Sequence, residues 1–373
     1  MRNPFVLEPY VTKELFCDRQ IETENMINLL QNGANITLIS PRRYGKTGLI
    51  YHVFDNLKEA GSHSCFYVDI YSSQCLDDFI NLFTEAIVEI LNSTSLIKKF
   101  FSYLSGFRPV LKYDPVSGKP EITFAHENEK QKQMTLKAIL NYLENQDRPV
   151  VVAIDEFQQI REYEEVNMEA LLRTYIQPLH NVRFIFCGSK KHTMSNMFTD
   201  EHSPFYESTE LIFLDRIDEG VYKSFIRLMF SNAHREISDD ALDTIISWTL
   251  RHTYYTQNLC NRIYAGGKKH IDIKEVNKAI TQILKQREGA FLERRNLLTK
   301  GQWQYLKAVA KEGTLTQPSS GGFLNKYKIG TASASKRMLS ALIDKELILE
   351  NTTLEGTEYR IYNVFFMRWL ANL

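Results

Sequence analysis

Apolar residues follow two rhythms along this chain. Mostly apolar runs at residues 36–39, 64–69, 149–156, 182–189 and 210–214 read as buried strands. Between them, apolar positions recur at helical spacing. Ile21, Met26, Ile27, Leu29 and Leu30 form one set, Leu49, Ile50, Val53, Phe54 and Leu57 a second, and Phe79, Leu82, Phe83, Ile87, Ile90 and Leu91 a third. Further helices are expected over 134–143 and 168–176. Strands separated by helices predict an α/β fold with a parallel sheet and right-handed crossovers. A hairpin, 108–113 and 121–124 about a turn at 114–118, interrupts the alternation and is expected beside the ligand-binding face.

The rhythm changes after residue 214. From 215 to about 296 it is helical, with faces built on Tyr222, Phe225, Ile226, Met229 and Phe230, then Ala241, Leu242, Ile245, Ile246 and Trp248, then Val276, Ile280, Ile283 and Leu284. Residues 297–373 read as a winged helix: helices over 303–310, 321–327 and 331–344, strands at 347–350 and 358–362, and a last helix carrying Phe366 and Trp369. The expected division is therefore a core over 1–214, a helical lid over 215–296 and a winged helix over 297–373.

Candidate chemistry lies at the strand ends, where ligands of such sheets bind. The first strand runs into Ser40-Pro41-Arg42-Arg43-Tyr44-Gly45-Lys46-Thr47-Gly48 and then a helix. Strand, loop, Gly-Lys-Thr and helix is the context of a phosphate-binding loop. Backbone N–H groups at a helix N-terminus favour anions, Lys46 can reach β- and γ-phosphates, and the Thr47 hydroxyl can ligate Mg²⁺. Ser40 stands where the usual pattern has glycine; a strand–turn–helix that contains Gly-Lys-Thr by chance is the plainer alternative. The strand 149–156 ends in Asp155 and Glu156, suited to a metal shell and to activation of a water. The strand 182–189 ends in Gly188 and Ser189; Ser189 suits both a γ-phosphate sensor and a helix cap.

These motifs, with Phe16-Cys17-Asp18-Arg19-Gln20 upstream, resemble the archaeal-type ATPase family within the AAA+/STAND-like P-loop NTPases. The resemblance spans nearly the whole chain. It implies a P-loop NTPase sheet of order 5-1-4-3-2, ATP bound between core and lid, Arg19 beside the adenine, Asp155 in the metal shell, Glu156 as base, Ser189 as first sensor and ATP with Mg²⁺ as cofactors. Asp18 and Gln20 replace the family's Gly and Glu, and a surface Arg19 paired with a carboxylate is the alternative. His252 falls where relatives carry a Gly-Gly-x-Pro turn; without those residues here it reads as a structural or capping histidine.

Composition narrows the function. Over 373 residues, Lys+Arg and Asp+Glu balance at 45 each, so nucleic-acid binding must come from a local patch. Residues 297–373 hold ten Lys/Arg against six Asp/Glu, and Ser333, Lys336, Arg337 and Ser340 share one face of a helix. That face suits a DNA groove, a protein partner or plain solvent. Five scattered cysteines without a C-x-x-C pair argue against disulfides and zinc and fit a reducing cytoplasm. No signal peptide or membrane-spanning run is visible. Arg173, Arg183 and Arg216 are candidate arginine fingers; a finger from a neighbour would make hydrolysis depend on a homo-oligomer. ATP over GTP rests on the resemblance. Three readings compete: a nucleotide-driven switch with ATPase activity, a DNA-binding regulator using nucleotide as a conformational ligand, and a protein-docking scaffold with structural nucleotide.

Overall fold

The computed structural model describes every residue except 1, 2, 9, 92, 117, 354 and 355, so Ser117 of the expected hairpin turn lies outside the described residues. The chain divides into two units, Glu8–Arg216 and Ile217–Leu373, the second joined by the N-terminal segment through Leu7.

The first unit runs α1 (Gln20–Gln31), β1 (Ile36–Ile39), α2 (Lys46–Glu59), β2 (Ser64–Asp69), α3 (Leu76–Ile90), α4 (Thr94–Tyr103), β3 (Pro109–Tyr113), β4 (Pro120–Phe124), α5 (Glu129–Glu144), β5 (Val150–Asp155), α6 (Met168–Ile176), β6 (Val182–Gly188), α7 (Lys191–Thr199) and β7 (Glu210–Phe213). Five strands pair in parallel in the order β2-β5-β6-β1-β7. Counted along the chain, the sheet strands read 5-1-4-3-2 from the β7 edge. Successive side chains of a strand face opposite sides. Val151, Ala153, Ile185, Cys187, Ile36 and Leu38 therefore meet α1 and α2. Val150, Val152, Ile154, Phe184, Phe186 and Phe66 meet α3, α5, α6 and α7. Burial on both faces explains why β5 reads as one unbroken apolar run.

The hairpin β3–β4 forms as expected and packs against α3. Ile122 inserts into the core on the α3 side and its N–H donates to Glu85 of α3 at 2.9 Å. His126 just beyond it meets Asp77 at the start of α3 at 2.6 Å. The hairpin thus lies along α3, on the side of the sheet opposite the phosphate-loop helix α2, because Ile122 finds its apolar neighbours there. The helices α4 and α7 were absent from the sequence reading.

The second unit contains α8 (Glu219–Ser231), β8 (Glu236–Ile237), α9 (Asp239–Thr249), α10 (Thr253–Ala265), β9 (His270–Ile271), α11 (Ile273–Asn296), α12 (Lys300–Glu312), α13 (Gly321–Tyr327), α14 (Ala332–Asp344), β10 (Ile348–Thr353), β11 (Gly356–Ile361) and α15 (Val364–Ala371). Strands β10 and β11 form the wing, and Leu315 bridges to Tyr359 of β11. The terminal helix α15 ties wing and helical bundle together. Its Phe365 ring lies 5.3 Å from Trp248 and 4.7 Å from Tyr255, and Arg368 donates to the carbonyls of Ser247 and Trp248. A cation near the last carbonyls of α9 also complements that helix's dipole.

Phe5 is wholly buried in this second unit, its ring 4.9 Å from Phe230 and 6.2 Å from Tyr264. The Asn3 amide donates to the Asn261 carbonyl at 3.0 Å, and the Asn261 amide returns a bond to the Phe5 carbonyl. The sequence alone assigned this segment to the core domain. Emptying the Phe5 site leaves a cavity that the stacked rings cannot fill, so Phe5→Ala should cost the second unit about 3–5 kcal/mol. Trp248, Trp303 and Trp369, the chain's three tryptophans, all belong to that unit, so denaturant unfolding followed by tryptophan fluorescence reads it selectively; an unshifted midpoint would contradict the assignment.

Candidate functional site

The two-residue period of the strands decides which side chains meet at their carboxyl ends. Tyr67, Asp155, Cys187 and Ser189 share the parity of the residues that face α2. Asp155 therefore points at the first turn of α2. Lys46 Nζ lies 2.8 Å from Asp155 Oδ1, and the Thr47 hydroxyl donates to Asp155 Oδ2 at 3.3 Å. The Tyr67 hydroxyl donates to the same Oδ2 at 2.7 Å, and the Glu156 N–H to Oδ1 at 2.9 Å.

Glu156 should face the other side by strand parity. It instead takes a left-handed backbone, φ 54°, where the strand breaks into a turn of 3-10 helix. That conformation is costly for a residue with a Cβ, and it brings the carboxylate back to the site. Glu156 Oε1 lies 4.0 Å from Lys46 Nζ. Its Oε2 accepts from the Ser189 hydroxyl at 2.8 Å and from the Gln158 amide at 2.5 Å. Arg42 Nε in turn donates to Ser189 Oγ at 3.0 Å. A continuous polar chain runs from the phosphate loop through Ser189 to Glu156.

The loop itself explains its departure from the usual pattern. Positive φ falls at Arg43 (68°) and Gly45 (95°), not at Ser40. Ser40 is buried in ordinary backbone geometry with its hydroxyl on the Pro41 carbonyl, so glycine is not required there. Gly45 is the cap residue of α2, and no side chain caps that end, which suits it to an external anion. Tyr44 and Gly48 are buried, Tyr44 in the apolar layer beneath α1 and α2; Pro41 and Arg42 are half-buried and Arg43 is exposed.

Burial works against every charge here. It would raise the Asp155 carboxyl, but the Lys46 ammonium and the hydrogen bonds from Lys46, Tyr67 and Glu156 N–H pull it below the usual carboxylate range. Burial would lower Lys46; the charged groups beside it outweigh that and raise its pKa. Asp155 and Glu156 carry that effect, since burial pushes the adjacent Cys187 thiol well up and keeps it neutral. Burial, reinforced by Asp155, likewise raises the Tyr67 phenol, which stays a donor.

The other sequence candidates separate clearly. Arg19 is buried, not exposed: its guanidinium meets Glu22 at 2.7 Å and the Asp215 carbonyl just beyond β7. Ser189 does not cap α7, whose cap residue is Lys190. His252 is the buried cap residue of α10, with its ring 4.5 Å from Tyr255. Arg183 sits at the amino end of β6 and bonds the carbonyls of Leu179 and Val182, at the opposite end of the strand from Ser189. Tyr67 and Gln158 were missed. Tyr67 has a signal, the strand parity it shares with Asp155; Gln158 depends on the turn at Glu156 and has none in the linear pattern.

Comparison with known proteins places these features in context. A family model described as an ATPase domain predominantly from Archaea matches residues 16–250, and a winged helix domain model matches residues 289–372. No curated protein matches the sequence. Among solved structures, a Walker-type ATPase of Pyrococcus abyssi is similar at TM-score 0.66 and 17% identity, over 98% of this chain and 99% of that one. The Aeropyrum pernix ORC2 protein, solved as ADPNP–ADP complexes, is similar at TM-score 0.62 and 15% identity, over 100% and 97%. The ORC1 protein of the same organism in complex with DNA is similar at 0.52 and 12%, over 100% and 96%. At these identities the likeness is one of fold.

Lys46 is now seen to support the fold as well as to face the ligand position. Lys46→Ala strips a buried carboxylate of its partner and should destabilise the first unit by about 3–5 kcal/mol. The double change Lys46→Ala with Asp155→Asn should recover most of that. The sign with pH follows from the shifts: the lowered Asp155 contributes stability that is present above about pH 3.9 and lost as pH falls through its folded value. The raised Lys46 contributes stability present below about pH 10.4 and lost as pH rises through its folded value. Thermal unfolding by circular dichroism across pH tests both; equal losses for single and double variants would refute the pairing.

Proposed function

The chain belongs to the family of ATPase domains found predominantly in Archaea, and from that membership we propose a Mg²⁺-dependent ATPase that acts as a nucleotide-driven switch coupled to its winged helix. One observation carries the catalytic part. Lys46 lies 2.8 Å from Asp155 and 4.0 Å from Glu156, and Thr47 lies 3.3 Å from Asp155, at the carboxyl ends of parallel strands beside a helix start without a side-chain cap.

The donor set fits both ligands. The N–H groups at the start of α2 and the Lys46 ammonium would hold the β- and γ-phosphates, with Pro41, Arg42, Arg43, Tyr44, Gly45 and Gly48 shaping the loop. Thr47 and Asp155 would hold Mg²⁺, a pair of hard oxygen ligands already 3.3 Å apart. When bound, Mg²⁺ supplies charge stabilisation at the phosphate oxygens. Glu156 takes the proton of the attacking water. Ser189, bonded to both Arg42 and Glu156, is suited to report on the γ-phosphate. Arg19, fixed by Glu22 and the Asp215 carbonyl, would support the adenine side by holding the residue 16–20 box against the end of β7.

The switch reading keeps three functional parts: core 1–214, lid 215–296 and winged helix 297–373. The contacts of α15 with Trp248 support this reading, because they give lid and wing a route by which to move together. A ligand shifts such an equilibrium only through different affinity for its states. DNA is one readout that α14 would suit, since its Ser333, Lys336, Arg337 and Ser340 are all exposed while Leu339 and Leu342 are buried. A protein partner is the alternative. Among the described residues no helix is long and apolar enough to cross a membrane. We place the protein in the cytoplasm on its five scattered cysteines, which include no C-x-x-C pair, and assign turnover to a homo-oligomer if the arginine finger comes from a neighbour.

Glu156→Gln should keep ATP affinity and lose turnover by about 10²–10⁴-fold. Phosphate release with and without Mg²⁺, over a range of protein concentrations, reads the base, the metal and the oligomer together; wild-type turnover in this variant would remove the base assignment. Lys336→Ala with Arg337→Ala should weaken duplex DNA binding and flatten its salt dependence. Fluorescence anisotropy at two salt concentrations, with and without ATP–Mg²⁺, measures it. No binding at low salt in either nucleotide state would favour the protein partner.

A further inference from the structure

Among the described residues, the side-chain hydrogen bonds to the Glu156 carboxylate all reach one of its oxygens. Both neutral donors, Ser189 Oγ and Gln158 Nε2, bond Oε2, while Oε1 faces Lys46 Nζ at 4.0 Å. Gln158 is 4% exposed and lies two residues beyond Glu156, in the short 3-10 turn that follows β5. Its amide orientation is fixed by chemistry: a carboxylate accepts, so the NH₂ must face it. The amide oxygen then points away, buried and without a hydrogen-bond partner among the described residues.

That oxygen occupies space which only glycine leaves open. A Cβ on Gly188 would meet Gln158 Oε1 at 2.0 Å and the Met194 sulfur at 2.7 Å. The last residue of β6, immediately before Ser189, is therefore shaped to admit the Gln158 side chain. Leaving a buried acceptor unpaired costs stability, and an apolar side chain of the same volume would avoid that cost. The arrangement makes sense if the amide's other end does something the fold alone does not need.

We propose that Gln158 is a positioning residue for the catalytic Glu156, and that Gly188 is the space that lets it act. By tying Oε2, Gln158 fixes the carboxylate plane and leaves Oε1 as the oxygen that takes the water's proton. Ser189 shares Oε2, but it is also bonded to Arg42 of the phosphate loop and so is free to respond to nucleotide. Gln158 is buried beside Gly188 and bonds Glu156 rather than the phosphate loop, so its hold on Glu156 is not set by the loop's response to nucleotide. The role rests on the reading of Glu156 as base.

The test is a double-mutant cycle on the full-length chain with ATP and Mg²⁺. Gln158→Met keeps the volume and removes the donor. It should lower kcat about ten- to a hundredfold, the worth of a hydrogen bond to a charged group, with KM and ATP affinity within twofold of wild type. In a Glu156→Gln background the same change should alter residual turnover less than twofold, because the base it orients is gone. Gln158→Asn, which keeps a buried amide but is too short to reach Oε2, should show the same kcat loss and covers the case in which the Met variant misfolds. Equal losses in both backgrounds, a rise in KM at unchanged kcat, or full kcat in a folded Asn variant would overturn the proposal. Failure of the underlying reading looks different: Glu156→Gln would then turn over like wild type before Gln158 is touched.

Discussion

A buried ammonium–carboxylate pair, Lys46 with Asp155, joins the first helix after the phosphate loop to strand β5 of the sheet. Taking two charges out of water is expensive unless geometry and further hydrogen bonds compensate. Here Thr47, Tyr67 and the Glu156 backbone supply those bonds. Asp155 is held by four partners from three elements. Its neighbours are held with it: the start of α2, the turn after β5, and Tyr67 on the edge strand. On the proposed reading, the same two charges would face a phosphate and a metal, each of which offers the charge that its present partner supplies. Ligand binding would exchange one set of partners for another without exposing either charge to an apolar surround.

Much of this was legible in the chain because strands buried on both faces leave unbroken apolar runs. The runs at β1, β5 and β6 also announced where their carboxyl ends would fall, and so brought Lys46, Asp155 and Ser189 to one place. The rest depended on information that a linear pattern lacks. The hairpin β3–β4 was visible from its turn and alternation, but its placement along α3 follows from which apolar surface Ile122 finds. The reach of Glu156 back to Lys46 follows from a single left-handed residue that no periodicity encodes. Arg19 illustrates the converse. The sequence offered an adenine-side residue or a surface ion pair, and the side chain is paired with Glu22 yet buried.

The second unit shows how the wing and the helical bundle are made one body. Phe365 fills the space between Trp248 and Tyr255, and Arg368 satisfies carbonyls at the end of α9 that would otherwise lack partners. The C-terminal half of α11 adds Phe291, whose ring lies 5.3 Å from Phe366 and 5.6 Å from Trp369. Aromatic contacts of this kind carry large buried area with little rotamer freedom to lose. This packing crosses the boundary drawn between lid and wing.

The embedding of Phe5 among Phe230 and Tyr264 sets an order of events during synthesis. The hydrogen-bonding partner of Asn3 lies 258 residues further along the chain, and that of Phe5 lies 256. At a ribosomal pace of about 5–20 residues per second, those partners emerge on the order of tens of seconds after the segment itself. The sheet around β1, β5 and β6 can assemble in that interval. The N-terminal segment cannot dock, and its apolar ring stays solvated or finds transient cover. Asn3 and Phe5 therefore wait for native neighbours made more than two hundred residues later, and a nascent-chain chaperone would meet them throughout that delay.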